Sequence, residues 1–260
     1  MLNITPDSFS DGGRFASPHH VDLAAIERCA EAMVADGAAI LDIGGESTRP
    51  GAEPVPAEVE RQRVIPVIER LRTLDTLLSV DTRKTEVARA ALDAGAHMVN
   101  DVSAAADAGM LELVAERGAA LCLMHMQGRP ETMQDAPSYE DPVREVREFL
   151  EQRVAQALAC GIDREQLVLD PGVGFGKAQA HNLKLIRQLE ALRLHDLPIL
   201  LGASRKSTIG RITGRDVQQR LAGSLAMALE GARYGANIVR VHDVAETNDA
   251  FKVREALSNA

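Results

Sequence analysis

The chain has 260 residues, 45% of them hydrophobic and 26% charged, which is enough to bury the core of one barrel-sized domain or of two smaller ones. A formal net charge of −9 argues against a general nucleic-acid-binding protein, which would carry a basic surface. No apolar run approaches the length of a membrane span, and the N-terminus lacks a signal-peptide pattern. The scattered cysteines Cys29, Cys122 and Cys160 indicate buried, reduced thiols. These features predict a soluble cytoplasmic protein that binds neither nucleic acid nor a membrane.

The chain begins MLNITPDSFSDGG, a segment dominated by turn-forming residues. Only Met1 and Leu2 precede the polar Asn3. The segment therefore predicts a polar loop with very little strand or helix ahead of it.

Short apolar runs then recur about every thirty residues with helical patterns between them, which is typical of repeated βα units. The predicted strands are 38–44, 77–81, 98–103, 119–126, 167–173, 198–204 and 237–244. The predicted helices are 19–37, 57–74, 84–95, 141–161, 181–194, 215–235 and 244–260. Because no linker-like composition separates these units, we expect one domain over residues 1–260, either an eight-stranded barrel or an open doubly wound sheet. In both, ligands bind at the carboxyl ends of the strands.

Polar side chains stand at those strand ends. Some are expected merely to cap the following helix. Asp81, Asn100 and Asp170, however, interrupt apolar runs, where an unpaired carboxylate or amide is costly to bury. Together they could surround a polar heterocycle whose ring N–H and amino groups donate to the carboxylates.

Cationic side chains follow the last two predicted strands. Arg240 and His242 alternate along one strand, so they point in the same direction and could hold a phosphate, or else Arg240 could form an internal salt bridge with a neighbouring Asp. Lys206 and Ser207 follow small residues at a predicted helix start, a suitable place for an anion.

The stretch DPGVGFGK at 170–177 departs from both nucleotide-binding patterns, because Pro171 and Ala178 break the phosphate-loop spacing and Lys177 replaces the last glycine of the dinucleotide motif. We interpret it as a tight glycine-rich loop in which Phe175 can cover a flat ligand.

Eight of these segments, in order, resemble the signatures of the dihydropteroate synthase family. They are LNITPDSFSDGG, DIGGESTRPGA, SVDTRK, NDVSA, LMHMQG, LDPGVGFGK, GASRKS and VRVHD. The resemblance covers essentially the whole chain. It implies a (β/α)₈ TIM barrel and a transferase that joins 6-hydroxymethyl-7,8-dihydropterin pyrophosphate to p-aminobenzoate, releasing pyrophosphate.

The resemblance also implies roles for individual residues. Asp81, Asn100, Asp170 and Lys206 would bind the pterin, and Asn3, Arg240 and His242 would bind the pyrophosphate, with Asn3 near Mg²⁺. Phe9, Thr48, Arg49, Pro50, Phe175 and Ser207 would form the p-aminobenzoate site. Asp81, Lys206, Arg240 and His242 are the expected catalytic residues, with Asp81 stabilising a pterin cation and Arg240 and His242 acting as cationic clamps on pyrophosphate. The family further implies a homodimer.

Two other functions remain open from sequence alone: a pterin-dependent methyltransferase, and a pterin-binding module without activity. The motif ESTRPG and the absence of a cobalamin-binding partner domain favour the synthase. The unaltered segments SFSDGG and ESTRPGA suggest sensitivity to sulfonamides.

Compared with the family, the first strand is mostly missing from this chain, because only Met1 and Leu2 precede Asn3. We expect the strands at 38–44 and 237–244 to lose most of a shared neighbour, which would expose their edges.

Overall fold

A computed structural model describes residues 1–5, 16–17, 20–49 and 51–260. The strands are β1 (Leu2–Asn3), β2 (Ala16–Ser17), β3 (His20–Val21), β4 (Ile40–Gly44), β5 (Leu77–Asp81), β6 (Met98–Asp101), β7 (Ala120–Met124), β8 (Leu167–Asp170), β9 (Leu200–Leu201) and β10 (Ile238–Val239). The α-helices are α1 (Leu23–Ala35), α2 (Ala57–Leu71), α3 (Thr85–Ala94), α4 (Met110–Arg117), α5 (Pro142–Ala159), α6 (Gln179–Arg187), α7 (Ser207–Thr213), α8 (Leu221–Arg233) and α9 (Val244–Ser258).

The strands form a parallel ring. Six of them pair in the order β1-β4-β5-β6-β7-β8, and β9 pairs with β10. A bridge between Leu169 and Ile199 joins the two groups, and the Met1 amino group donates to the Val241 carbonyl at 3.2 Å. Strands β2 and β3 form a separate two-stranded antiparallel sheet. This arrangement agrees with the predicted (β/α)₈ barrel rather than with the open sheet.

Apolar side chains bury the space between strands and helices. Leu41, Ile43, Leu78 and Val80 are fully buried in one cluster with residues of the surrounding helices. A second, smaller cluster contains Met98, Cys122, Val168 and Leu200. Met98 and Val168 lie two residues before Asn100 and Asp170, on the same faces of their strands. Along each of these strands, an apolar side chain therefore comes first and a polar side chain follows on the same face, at the carboxyl end.

The ends of the predicted helices are confirmed at four glycines. Gly37, Gly95, Gly161 and Gly235 all have positive φ, the conformation that ends a helix most readily at glycine. Helix α4 is absent from the sequence-based prediction. Its buried residues Met110, Leu113 and Val114 do follow the helical i, i+3, i+4 spacing, but the helix has only eight residues, so the period is carried by little more than two turns.

The first strand is short, as expected from the sequence. In β1, Leu2 pairs with Ile43 and Asn3 with Gly44, so in the described chain Ile40, Leu41 and Asp42 have no strand partner on this side. A cavity of about 290 Å³ lies there, between β4 and β10. Ile40, Val239, Val244 and Phe251 contribute to its lining. This cavity therefore lies at the seam where β1, β4 and β10 meet.

The three cysteines are free thiols, as predicted, but they differ in exposure. Cys122 is buried and Cys29 half-buried, whereas Cys160 is exposed. The expectation of burial is therefore wrong for Cys160, which follows the last residue of α5 at the protein surface. None of the helices built from described residues has the length and apolar character needed to cross a membrane.

Candidate active site

A cavity of about 460 Å³ opens at the carboxyl ends of the barrel strands. Its lining includes many of the predicted site residues, namely Asn3, Thr48, Arg49, Asp81, Phe175, Lys206, Ser207, Arg240 and His242. Asn100 instead lines the smaller cavity beside β1, and Asp170 is buried at the end of β8. Phe9 and Pro50 lie outside the described residues. The βα topology thus brings together side chains from distant parts of the sequence.

An ion-pair network closes the floor of this cavity. Arg240 donates from Nε to Asp42 Oδ2 at 2.5 Å and from an Nη atom to Asp81 Oδ2 at 2.7 Å. The Asn100 amide also donates to Asp42 Oδ2, at 3.2 Å. The internal salt bridge considered for Arg240 therefore exists, and it uses two carboxylates. Because Arg240 also lines the cavity, the same guanidinium is within reach of an anion bound there.

Burial controls the proton affinity of Asp81. Removal from water raises its pKa to about 7, with the Asp42 carboxylate adding to the rise and Arg240 opposing it. For Arg240, burial alone would lower the pKa, but the charges of Asp42 and Asp81 outweigh burial and raise it. Two carboxylates therefore share one permanent cation, so Asp81 can gain or lose a proton near neutral pH.

Lys206 lines the same cavity and lies over the glycine-rich loop. Its ammonium donates to the Val173 carbonyl and stands 4.5 Å from the centre of the Phe175 ring. A Cβ on Gly174 would lie 3.0 Å from Cδ of Lys206, so glycine makes this approach possible. Burial lowers the pKa of Lys206 to about 8, against the attraction of Asp170. The Asp170 carboxylate accepts a hydrogen bond from Gly172 N at 2.7 Å, which fixes it at the base of the loop.

His242 is held by a serine on the neighbouring strand end. Ser204 Oγ lies 2.9 Å from His242 Nδ1 and accepts from the His242 backbone N–H at 3.3 Å. If the hydroxyl donates to Nδ1, the proton of a neutral ring lies on Nε2. Burial, followed by nearby positive charges, lowers the pKa of His242 to about 3. The lowered pKa favours a neutral ring, which would serve the pyrophosphate as an N–H donor, and the role of His242 as a cationic clamp stays a prediction.

The second loop supplies the more exposed wall. Thr48 is half-buried and Arg49 is exposed, and both line the cavity. Ser207 is exposed at the first residue of α7, close to the N–H groups of that helix start. Because Arg49 and Ser207 are exposed and line the cavity, this side suits an anionic group that stays partly in contact with water.

Two polar strand-end residues, Asp42 and Ser204, have no assigned role in the sequence-based prediction of the site. Asp42 pairs with Arg240, and Ser204 orients His242. Asp42 interrupts the apolar run ILDIG just as Asp81 and Asp170 interrupt theirs, so the same signal could have identified it. Ser204 carries no such signal, since a small polar residue at a strand end is ordinary.

The residues near Asn3 fit a magnesium ion that arrives with a phosphate ligand, and they do not fit an all-protein cage. Among the described residues there is no group of three His, Cys, Asp or Glu side chains able to hold a metal. Asn3 offers one amide oxygen on the cavity wall. Mg²⁺ commonly takes one or two protein oxygens and completes its shell with phosphates and water.

Comparison with known proteins gives one consistent family. The family model described as "Pterin binding enzyme" matches residues 1–242. The dihydropteroate synthase of Escherichia coli K12 is 48% identical over 261 residues, covering 100% of this chain and 91% of the relative.

Solved structures agree with this assignment. The Yersinia pestis dihydropteroate synthase in a sulfonamide complex has a TM-score of 0.93 at 45% identity, covering 100% of this chain and 93% of that one. The Xanthomonas albilineans enzyme with 4-aminobenzoic acid has a TM-score of 0.91 at 49% identity, covering 100% and 92%. The predicted family, barrel fold and enzyme class are confirmed. The chain therefore belongs to the dihydropteroate synthase family of pterin-binding enzymes.

Proposed function

We propose that this chain condenses 6-hydroxymethyl-7,8-dihydropterin pyrophosphate with p-aminobenzoate to give 7,8-dihydropteroate and pyrophosphate. The observation that carries the proposal is that two kinds of polar surface meet at this cavity. The buried carboxylate of Asp81 lines it, with Asn100 and Asp170 buried at the ends of β6 and β8, and the cationic or N–H donor side chains of Arg49, Lys206, Arg240 and His242 line it as well. A neutral heterocycle rich in N–H groups and an anionic leaving group require those two kinds of surface.

The pterin is assigned to the buried end. Asp81 and Asp170 would accept from its ring N–H and amino groups, and Asn100 and Lys206 would complete the set of polar partners. Asn100 currently bonds Asp42, so it and Asp42 act as one unit. The side chains of Asp81, Asn100 and Asp170 are all buried. Buried polar groups bind a ligand that forms hydrogen bonds with them much more tightly than a ligand that leaves them unpaired.

Bond breaking precedes attack in the proposed mechanism. The C–O bond between the pterin methylene and pyrophosphate breaks, and its electron pair leaves on the pyrophosphate oxygen. The positive charge on the methylene is shared with the electron-rich dihydropterin, and the Asp81 carboxylate stabilises it in a site poor in water. The aniline nitrogen of p-aminobenzoate then forms the C–N bond and releases its proton to solvent.

Arg240 and His242 act on the leaving group. Arg240 presents guanidinium N–H groups, and His242 presents its neutral Nε2–H, to the pyrophosphate oxygens. Because Arg240 also holds Asp81, a pyrophosphate that draws on the guanidinium would leave Asp81 more strongly negative as the pterin cation forms. Asn3 would hold Mg²⁺ with the pyrophosphate. When bound, Mg²⁺ neutralises charge on the leaving group.

The p-aminobenzoate ring would lie between Phe175 and the second loop. Thr48 and Arg49 come from that loop, and Ser207 would bind the carboxylate at the start of α7. Phe9 and Pro50 belong to the same assignment but lie outside the described residues. A sulfonamide resembles p-aminobenzoate in shape and charge, so we propose competitive inhibition by sulfonamides, measurable as a rise in apparent KM for p-aminobenzoate.

The direct test is an assay with both substrates and Mg²⁺ that follows dihydropteroate by chromatography and pyrophosphate by a coupled enzyme. We expect the two products in equal amounts, each dependent on both substrates. Pterin binding by calorimetry without pyrophosphate release would instead identify an inactive binding module. Methyl transfer from a methylated pterin, with no dihydropteroate formed, would identify a methyltransferase.

Three further assignments complete the proposal: one domain over residues 1–260, a homodimer, and a cytoplasmic location. The free thiols Cys29, Cys122 and Cys160 support a reducing compartment. Sedimentation of the purified protein tests the dimer.

A further inference from the structure

A buried cluster of four charged side chains lies directly behind the second loop. Lys84 Nζ bonds Glu46 Oε2 and lies 2.5 Å from Glu60 Oε2. Arg83 donates from Nε to Glu46 Oε1 at 3.0 Å, and a second guanidinium nitrogen lies 2.9 Å from the same oxygen. The side chains of Glu46 and Glu60 are only 5% and 1% exposed. The two buried carboxylates are therefore neutralised by two cations that are partly exposed, 24% for Arg83 and 21% for Lys84, and Arg83 also lies 3.9 Å from Glu131.

The cluster joins three parts of the barrel. Glu46 stands two residues before Thr48, Glu60 lies in the first turn of α2, and Arg83 and Lys84 follow Asp81 at the end of β5. It connects the loop assigned to p-aminobenzoate with the strand end assigned to the pterin. Lys84 and Glu60 are absent from the lining of the large cavity, so their effect on a ligand there would be transmitted through Glu46.

Glu46 also closes the second loop on itself. Its Oε2 accepts from Val55 N at 3.3 Å, which ties the far end of the loop to its beginning. Arg63 donates to the Gly45 carbonyl at 2.7 Å, and a Cβ on Gly45 would lie 2.8 Å from Val64. The chain is therefore fixed against α2 immediately before the residues Thr48 and Arg49.

The charges have no other evident use. Burial alone would raise the pKa of Glu46, but the hydrogen bond and charge of Lys84, with the charge of Arg83, lower it. Glu46 is therefore ionised. Glu60 Oε1 is buried without a hydrogen-bond partner among the described residues. An apolar cluster of the same size would avoid the cost of desolvating these ions, whereas ion pairs of fixed geometry can hold a loop in one position.

We propose that Glu46, held by Lys84 and Arg83, is a positioning residue that sets the place of Thr48 and Arg49 and thereby the affinity for p-aminobenzoate. This inference rests on the proposed function, because it assigns a role to the second loop of the same site. The pterin site, built on other strand ends, is affected much less.

The test measures both KM values and kcat for Glu46→Gln, Lys84→Met and the double variant. Since small displacements of positioning groups have large kinetic effects, we expect Glu46→Gln and Lys84→Met each to raise KM for p-aminobenzoate about tenfold. KM for the pterin substrate should stay within about twofold, and the double variant should be little worse than either single one because both changes break one unit. Glu58→Gln, on the same helix but with a 61% exposed side chain, is the matched control and should change neither value.

Several outcomes would overturn the proposal. An unchanged KM for p-aminobenzoate in Lys84→Met would show that Glu46 does not act through this cluster. Equal rises in both KM values, or additive effects in the double variant, would indicate general damage or a direct contact. If Lys84→Met fails to fold, Lys84→Arg and Glu60→Gln provide the same comparison, with rescue expected for Lys84→Arg. A wild-type chain that makes no dihydropteroate would refute the proposed function instead.

Discussion

The guanidinium of Arg240 lies 2.7 Å from the carboxylate of Asp81, across 159 residues of sequence. The pair joins the residue assigned to leaving-group binding to the residue assigned to cation stabilisation. Because Asp42 shares the same guanidinium, the balance of charge at Asp81 depends on what else Arg240 binds. The two halves of the proposed reaction are therefore connected by one side chain.

Substitution of Asp81 should stop the reaction. Without its carboxylate the pterin loses a hydrogen-bond acceptor and the developing cation loses its counter-charge, so Asp81→Ala should lower kcat by about 10³-fold or more. Asp75→Ala, at an exposed position just before the same strand, is the control and should be active. A near-wild-type rate in a folded Asp81→Ala protein would refute the mechanism.

The pH dependence should reflect both Asp81 and Lys206. Asp81, with its pKa raised to about 7, is protonated and inactive as the pH falls below that value. Lys206, with its pKa lowered to about 8, loses its charge as the pH rises above that value. We therefore expect a plot of kcat/KM for the pterin substrate against pH to be a narrow bell with its maximum between about pH 7 and pH 8.

The variant Lys206→Arg distinguishes titration of Lys206 from titration of the substrate in this pH profile. The variant should keep the acidic limb and lose the basic limb, because an arginine does not deprotonate in this range. Titration of the substrate itself is the same for both proteins. A basic limb that is unchanged in Lys206→Arg would remove Lys206 from the account.

The neutral tautomer of His242 can be tested with amide side chains. Gln places an N–H group near the position of Nε2, whereas Asn places one near Nδ1, where Ser204 already bonds. His242→Gln should therefore retain clearly more activity than His242→Asn, measured as kcat at saturating substrates. Equal loss in both variants would mean that the imidazole acts in some other way.

The cavity beside β1 predicts that the barrel can be stabilised by a longer first strand. A version with four β-branched apolar residues ahead of Met1 can pair with the free edge at Ile40–Asp42 and fill the 290 Å³ cavity. Burying two or three such side chains should raise Tm by about 5 °C or more. It should also hold Asn3 more firmly and raise turnover.

A Gly-Ser extension of the same length is the control for this variant, since it lengthens the chain without apolar burial. Comparing Tm and kcat of the two extended proteins should distinguish the effect of forming a strand from the effect of moving the terminal amino group. Equal Tm and kcat in the apolar version and the control would contradict the prediction that added apolar residues fill the cavity and stabilise the barrel.

Much of this site was predictable because its chemistry interrupts apolar runs. Asp81, Asn100 and Asp170 are conspicuous in strands that otherwise bury both faces, and the barrel topology then brings their ends together. Pairings across the ring were not predictable. The sequence allows a salt bridge between Arg240 and a nearby Asp, but nothing local indicates that the partners are Asp42 and Asp81, that Ser204 bonds His242, or that Lys84 holds Glu46. These contacts depend on three-dimensional neighbours and on which ions burial leaves charged.

The most direct test of the central claim, that the site stabilises a pterin cation before the amine attacks, is positional isotope exchange. The pterin substrate carries ¹⁸O in the oxygen that bridges the methylene and pyrophosphate, and it is incubated with the enzyme and Mg²⁺ in the absence of p-aminobenzoate. The account predicts that ¹⁸O moves into non-bridging positions of recovered substrate with wild-type enzyme and not with Asp81→Ala. The account would be contradicted if the ¹⁸O of the recovered substrate stayed in the bridging position. The same enzyme must turn over normally once p-aminobenzoate is added.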